Sequence, residues 1–485
     1  MMTRTERQAE SVQHWRKARG KGTIKGCTGY GKTKCAIDII KSINSKRGYD
    51  ILVGVIVPTN PLKTQWEKII EREGIKNLAI YTIQSFNNIT EPITQNFWIY
   101  DEIHLYLEGE VFGEVFNKTI SEFKLGLTGT LTEEEEVKVN KLLPIIDTVT
   151  FEYAQQMGWV ADLVEYNYMV QLSKEEIDSY SAFKEENKKR YSLFSYDADY
   201  MRMCQARTTN AHFQGRGESS PSLKPGAEWV ARQLHPIVGK DGEIYEELEY
   251  LPEGVDTLKG KELFEFMHLT AKQLAQDFKA IKDMVNNFPS CIKAAKEVIE
   301  HIDRKTIVFG ESNKAAESLH NILKDSGIYH SDIKTRIKAI VKEKSFKTQA
   351  GADRNADKLK GKAFMRGNEW IVSYPSVEKT VKEKIREELL EKLEKGEIST
   401  LVSSKCFVVG LDVYGLQVGV NLSTTRKHTT HEQKLGRPSR KEGDKEAIFV
   451  NIIPKDTNAI FSFKEAQVNS KGVRYITNVN QIELN

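Results

Sequence analysis

The sequence predicts an α/β protein built as two parallel-sheet halves with a less regular stretch between them. Short apolar runs alternate with helical patterns from residue 21 to about 150, and alternation resumes from 292 to 452. Strands alternating with helices argue for a parallel sheet covered on both faces. The chain has 485 residues, beyond the roughly 250–300 that one hydrophobic core supports. Two halves therefore follow from length as well as from pattern.

In chain order, Gly22–Gly26 reads as a strand and Lys32–Ile43 as a helix. Ile51–Val57 is a strand and Pro61–Glu73 a helix. Leu78–Tyr81, Phe97–Tyr100 and Lys124–Leu127 are further strands. Leu163–Leu172 alternates like one strand or a pair. Residues from about 190 to 290 carry few strong signals. They include a Gly/Ser/Pro-rich patch, Gly215–Pro225, and the stretch Asp241–Asp256, which has seven acids and no Lys or Arg. This region reads as an insertion with a helical end at Glu262–Val285. Beyond it come a helix at Ile292–Ile302, a strand at Thr306–Phe309 and a helix at Lys314–Lys324. Glu378–Lys395 reads as a charged helix with Val381, Ile385, Leu389 and Leu393 on one face and Gly396 as its C-cap. Thr400–Ser403 and Ala447–Ile452 are strands. No internal repeat is found.

Composition excludes several classes. Lys plus Arg number 71 and Asp plus Glu 68, a net +3, which is silent on a polyanionic partner. Hydrophobic residues at 39% and charged residues at 29% fit a globular protein rather than a disordered one. No apolar run approaches the roughly 20 residues of a membrane span, so no membrane partner is expected. The start, M-M-T-R-T-E-R-Q, has no apolar signal core. Five cysteines without a C-x-x-C pair point to a reducing cytoplasm. One local bias stands out: Ser331–Arg366 holds eleven Lys or Arg against four acids. It reads either as a solvated loop or as a phosphate-tracking surface, and its few aromatics do not indicate base stacking.

Gly26-Cys27-Thr28-Gly29-Tyr30-Gly31-Lys32-Thr33 fits the phosphate-loop pattern G-x-x-x-x-G-K-[ST] in full. A strand precedes it and a helix follows, as the chemistry requires. The glycines, Gly29 and Gly31 among them, let backbone N–H groups turn onto a triphosphate at a helix N-terminus. Lys32 can reach the β/γ-phosphates, and the Thr33 hydroxyl can ligate Mg2+. Asp101-Glu102-Ile103-His104 ends an apolar strand 69 residues after Lys32. There Asp101 would hold the metal and Glu102 would polarise the attacking water. Near the end, Gln433-Lys434-Leu435-Gly436-Arg437-Pro438-Ser439-Arg440 carries arginines three apart. On one helical turn they would share a face and offer guanidinium groups to developing phosphoryl charge.

Together these residues resemble superfamily 2 helicases and translocases with a D-E-x-H box. The resemblance is strongest to phage recombination-type and XPB-like DNA helicases, and it runs in order from about Gln8 to Arg440. It implies that Gln8 reads the adenine of ATP. His104 would link the ATP site to the interdomain cleft. Val57–Trp66 and Tyr81–Phe86 resemble motifs Ia and Ib, which would set Pro58, Thr59, Gln84 and Ser85 along the nucleic-acid strand. Leu127-Thr128-Gly129-Thr130 resembles motif III, with Thr128 and Thr130 coupling hydrolysis to strand separation. Thr306–Asn313 resembles motif IV. Gly410 and Asp412 match motif V at the nucleotide. The Gln433–Arg440 segment resembles motif VI, with Gln433 in coupling and Arg437 and Arg440 at the arginine-finger positions. Ile103, Lys434 and Tyr414 depart from the usual Ala, Arg and Pro.

The resemblance implies two RecA-like domains with an ATP cleft between them. The expected division is 1–155, then 156–455 with an accessory insertion at about 190–290, then a C-terminal tail over 456–485. The expected activity is an ATP- and Mg2+-dependent DNA helicase or translocase, moving 3′ to 5′ on single-stranded or forked DNA. Its expected location is the cytoplasm, a host's if phage-encoded. The rivals are an RNA helicase, the motor of a restriction or remodelling complex, and an ATP-switched binding protein that does not unwind.

Overall fold

The structure is a computed structural model. It describes residues 2–106, 115–129, 131–194, 196, 198–206, 260–330, 332–333, 336–360, 362–366, 369–380, 382–404, 413, 415–424, 426–439, 446–468, 470 and 472–484. The chain forms two compact units. One comprises Met1–Tyr168, Lys293–Ile452 and Ser462–Asn485, and the other Met169–Ile292 and Ile453–Phe461.

The first unit holds two sheets. The first sheet contains β1 (Lys21–Gly26), β2 (Val53–Val57), β3 (Leu78–Thr82), β4 (Phe97–Asp101), β5 (Phe123–Thr128) and β6 (Ile145–Val149). Their order is β3-β2-β4-β5-β1-β6, and all five pairings are parallel. Every residue of β2 and of β4 is buried, as a sheet covered on both faces demands. Because the strands are parallel, the C-terminal ends of β1 and β4 lie on one edge of the sheet, with β5 between them. That edge is where a parallel sheet binds ligands.

Helices cover this sheet for local reasons. α1 (Arg4–Lys17) opens with a capping box in which Thr3 and Glu6 satisfy each other's backbone N–H groups. α2 (Lys32–Arg47) starts at the phosphate loop and stops at Gly48. α3 (Asn60–Glu73) has Pro61 in its first turn and Gly74 as its C-cap. α4 (Ile83–Asn87) is capped by Thr82. Trp15, Ile24, Ile40, Val55, Phe97 and Leu127 lie at the centre of the core between these layers.

The second sheet is made of β7 (Leu163–Val170), β8 (Thr306–Gly310), β9 (Ser326–Tyr329), β13 (Thr400–Ser404), β14 (Val418–Asn421), β15 (Ala447–Pro454) and β16 (Arg474–Ile476). It runs β9-β13-β8-β14-β15-β7-β16. The stretch from β9 to β15 is parallel, as is the β7–β16 pair. The alternation at Leu163–Leu172 is thus a single strand of this sheet.

Between β9 and β13 the chain builds β10 (Arg336–Phe346), α5 (Gln349–Leu359), β11 (Lys362–Arg366) and β12 (Glu369–Thr380). The basic stretch is therefore not a loop. β12 lies between β10 and β11, antiparallel to both, and α5 connects the outer strands as a split β-α-β unit. Ala352, Ala356 and Val372 form its small core. The expected helix at Glu378–Lys395 begins only at Lys382, as α6 (Lys382–Lys395). Residues 378–380 instead complete β12, where the pairing of Lys379 with Ile337 and Glu378 with Lys338 extends the ladder. α7 (His428–Leu435) follows β14.

In the second unit, helices Lys174–Ser192, Ala198–Ala206 and Gly260–Val285 pack around Phe194, Met201, Cys204, Met267 and Leu274. The Gly215–Pro225 and Asp241–Asp256 stretches lie outside the described residues. Among the described residues no helix is long and apolar enough to cross a membrane.

Candidate functional site

The phosphate loop turns from β1 into α2 through Gly29 at φ 86° and Gly31 at φ 93°. Gly31 has a second reason to lack a side chain. A Cβ there would lie 2.4 Å from Gln8 Nε2. Gln8 is buried, and its Nε2 donates 2.7 Å to the Tyr30 carbonyl. Gln8 is thereby fixed against the loop whose ligand the sequence expects it to read. Lys32 Nζ donates 2.8 Å to Gly26 O, so the ammonium rests inside its own loop. Behind the loop, the Tyr30 hydroxyl meets Ser11 Oγ at 2.6 Å. Arg7 grips Asp147 through two hydrogen bonds of 2.9 and 2.6 Å. These contacts tie α1 and β6 to the loop from the buried side.

Asp101 closes β4 and is buried. Its Oδ2 accepts 2.8 Å from the Trp66 indole N–H, and its Oδ1 accepts 3.1 Å from Glu102 N. Burial and the neighbouring Glu102 charge push the Asp101 carboxyl up to about 6, against the opposing pull of Trp66. Glu102 sits at φ 51°, a left-handed conformation that costs a non-glycine residue of order 1–3 kcal/mol. Its Oε2 is buried and accepts no hydrogen bond among the described residues, with His104 Nδ1 at 3.5 Å. A half-buried carboxylate on a strained backbone, with a spare acceptor, suits a group that orients water. His104 Nδ1 lies 2.9 Å from Thr128 Oγ1, both buried, so the acid turn is linked to the end of β5.

The second sheet supplies the opposite wall. Arg437 is not on the helical turn that the sequence expects it to share with Arg440, which lies outside the described residues. α7 ends at Leu435, and Arg437 lies in the following turn. Pro438 explains this, since its ring disfavours helical backbone at the residue before it. A Cβ on Gly436 would lie 2.3 Å from Thr28 Cβ, so this turn lies directly against the phosphate loop. Arg437 is buried. Burial pushes its guanidinium down to about 10; Glu102 pulls it back up and Arg386 lowers it further.

One cleft of about 330 Å³ brings together Gly29, Gly31, Lys32, Thr33, Asp101 and Glu102 from the first sheet with Gln433 and Arg437 from the second. The residues fit a magnesium nucleotide on three observations. Gly29 and Gly31 give the loop the left-handed backbone its turn requires, its lysine is held by a carbonyl of the same loop, and an acceptor-rich carboxylate pair shares the cleft. Thr130, Gly410, Asp412 and Arg440 lie outside the described residues.

A second, wider groove of about 920 Å³ is lined by Pro58, Thr59 and Gln84, and across from them by Tyr329 and by Arg386 and Leu390 of α6. Three of the four residues expected on a nucleic-acid track share this groove. Ser85 does not line it. Its Oγ closes the capping box of α4 with Thr82, a structural task.

Two side chains escaped sequence reasoning. Trp66 holds the acid of β4 from the helix that starts the groove, and a tryptophan in an apolar stripe gives no sign of such a partner. Lys434 does not face the cleft. It is buried, and its Nζ donates to Asn421 Oδ1 at 3.0 Å and Ser423 Oγ at 2.9 Å. Asn421 Nδ2 continues to Asn451 Oδ1, and Asn451 Nδ2 to Glu165 Oε1 at 2.8 Å. His431 Nε2 also meets Glu165 Oε1 at 2.8 Å. Burial pushes the Glu165 carboxyl up, but His431, Gln467 and Asn451 hold it below its usual range. α7, and with it Gln433 and Arg437, is thus fastened to three strands by a buried polar chain.

Residues 346–442 match the helicase conserved C-terminal domain, and residues 2–77 match the type III restriction enzyme res subunit. The DNA 3'-5' translocase XPB2 of Sulfurisphaera tokodaii is 23% identical over 466 residues, covering 93% of this chain and 81% of that protein. The two domain matches and this relative support a superfamily 2 helicase or translocase. That class hydrolyses ATP, which implies an ATP-driven enzyme. Among solved structures, S. cerevisiae Dbp5 bound to RNA and ADP BeF3 is similar with a TM-score of 0.52 at 10% identity, covering 97% of this chain and 89% of that one. The Pyrococcus furiosus Hef helicase domain has a TM-score of 0.46 at 13% identity, covering 94% and 97%. At such identity the Dbp5 likeness concerns the fold, and the two parallel sheets are RecA-like α/β domains.

Proposed function

We propose that this enzyme is a DNA motor that uses ATP and Mg2+ to move 3′ to 5′ along one strand and remodel forked or branched DNA. One observation carries the reading: a single cleft holds a phosphate loop and an acid pair from one sheet and an arginine from the other. Hydrolysis then depends on how the two sheets meet. The similarity to a DNA 3'-5' translocase over most of both chains supports DNA as the track. The motor domains are 1–155 and 156–455, with an accessory insertion at about 190–290 and a tail over 456–485.

In this reading Lys32 and the N–H groups around Gly29 and Gly31 hold the β/γ-phosphates. Thr33 and Asp101 would hold Mg2+, which would supply charge neutralisation at the phosphates when bound. Glu102 orients the attacking water and takes its proton. Arg437, joined by Arg440, stabilises charge on the transferred phosphoryl group. Gln8 reads the adenine, and Gly410 and Asp412 complete the nucleotide site. His104, Thr128, Thr130 and Gln433 transmit the state of the cleft, while Pro58, Thr59 and Gln84 lie along the strand. Movement requires that grip on DNA differ between nucleotide states.

A second reading is a motor that tracks duplex without unwinding it. The match of residues 2–77 to a restriction enzyme subunit favours it. Steady-state ATP hydrolysis with single-stranded, duplex and forked DNA and with RNA, beside Lys32→Ala, tests both. Stimulation by DNA over RNA together with strand displacement is the expected result. Stimulation by duplex without displacement selects the tracking motor, and stimulation by RNA alone overturns DNA as the track.

A further inference from the structure

The split β-α-β unit takes no part in the cleft, yet its position is telling. It is inserted between β9, whose Tyr329 lines the wide groove, and α6, whose Arg386 and Leu390 line it too. The chain therefore leaves and re-enters the second sheet's domain at one wall of that groove. The unit has its own core of Ala352, Ala356 and Val372, backed by Phe346, Leu359, Ala363 and Trp370. Packing within the unit leaves its outer surface open.

That surface is rich in cations. Lys344, Lys347, Lys358, Lys360, Lys362 and Arg366 are all exposed. Two have partners: Arg366 is held bidentate by Glu343 at 2.9 and 3.0 Å, and Lys344 lies over the Phe346 ring at 5.7 Å. Lys347, Lys358, Lys360 and Lys362 have no ion-pair partner among the described residues. They bracket α5 at both ends, and Asp353 and Asp357 on that helix leave them in excess.

Aromatic placement decides which polyanion fits. A single strand is gripped by ring faces on which bases stack. Here Phe346 and Trp370 pack into the unit's core, and the Arg366 guanidinium covers Phe364 at 5.3 Å. Among the described side chains no open ring face is offered, whereas flexible ammonium groups suit the sequence-independent phosphates of a duplex. We propose that this unit is a duplex clamp, whose Lys347, Lys358, Lys360 and Lys362 contact the phosphates of double-stranded DNA adjoining the groove. The proposal rests on DNA being the track.

The test replaces the four lysines together (Lys347→Gln, Lys358→Gln, Lys360→Gln and Lys362→Gln), with thermal unfolding as the check on folding. Binding to a blunt duplex and to an oligothymidylate strand is measured across salt concentrations. The ATPase is titrated with forked DNA. Each lost phosphate contact should flatten the duplex salt slope by about 0.9, so a loss of about 3–4 is expected. The forked-DNA concentration for half-maximal stimulation should rise about tenfold, with the maximal rate within about twofold of wild type. Oligothymidylate binding should change less than about twofold. An unchanged duplex slope overturns the clamp and leaves the lysines to solvent or to an acidic protein. An equal loss on the single strand overturns the duplex assignment. Failure of the DNA reading is distinguishable, because then the unmutated protein would respond to no DNA.

Discussion

The cleft and the groove are built differently. In the cleft, three candidate groups are held by buried neighbours: Gln8 by the Tyr30 carbonyl, Asp101 by Trp66, and Arg437 by a helix fastened through Lys434. In the groove, Pro58, Thr59 and Gln84 line an opening nearly three times as large, with no such scaffold behind them among the described residues. The contrast matches the two tasks. Phosphoryl transfer needs charges fixed to a fraction of an ångström before the reaction starts. A sliding contact with a repeating backbone needs only weak, replaceable contacts.

This comparison can be broken at the cleft first. Lys32→Ala should abolish turnover, and normal ATP hydrolysis in that variant would end the assignment of the loop. Glu102→Gln should keep ATP binding while slowing hydrolysis by roughly 10³-fold; a wild-type rate would exclude Glu102 as the water-orienting group. Arg437→Ala should lose about 10³-fold in maximal rate if its guanidinium meets the phosphoryl group. A loss under about threefold would make it a buried structural charge.

The scaffold itself comes next. Lys434→Met removes the donor that anchors Asn421 and Ser423 without touching the cleft. The expected result is a maximal rate lower by about 10–100-fold with nucleotide affinity little changed, because a shift of about 1 Å in a reacting group costs about that much. Equal losses in affinity and rate would place Lys434 at the nucleotide instead. In the groove the effect should be smaller. Thr59→Val with Gln84→Ala should raise the DNA concentration for half-maximal stimulation several-fold and leave the unstimulated rate alone.

The smallest effect concerns pH. The Asp101 carboxyl, pushed up to about 6, binds a proton below that value, and Mg2+ must displace it. Magnesium affinity should therefore fall roughly tenfold per pH unit below about 6 and be flat above it. A titration of Mg2+ against a fluorescent ATP analogue reads this directly, and a flat profile down to pH 5 would show that no ligand of the metal titrates near 6.

The contrast also explains what was legible in the sequence. The phosphate loop is contiguous, so eight consecutive residues declare strand, turn and helix together. Asp101 and Glu102 are legible because an apolar run closes on two consecutive acids. Trp66 is not, since its partner lies 35 residues away and its burial looks like ordinary core. Lys434 is misleading for a similar reason: its neighbours in sequence face the cleft, while its anchors, Asn421 and Ser423, come from the end of β14. The split β-α-β unit shows the opposite failure. The alternation Ile337, Ala339, Val341 against Lys338, Lys342 is present in β10, but the charge bias of the whole stretch masks it.

Gly436 leaves less than one methyl group of clearance above Thr28. Position 436 is therefore a spacer gauge between the arginine turn and the phosphate loop. Gly436→Ala changes no charge, removes no donor and enlarges no cavity. Whatever it does to catalysis reports separation alone, which no substitution of a charged residue in the cleft can isolate. A sharp loss of turnover from that one carbon atom would mean that the enzyme meters distance as strictly as it meters charge.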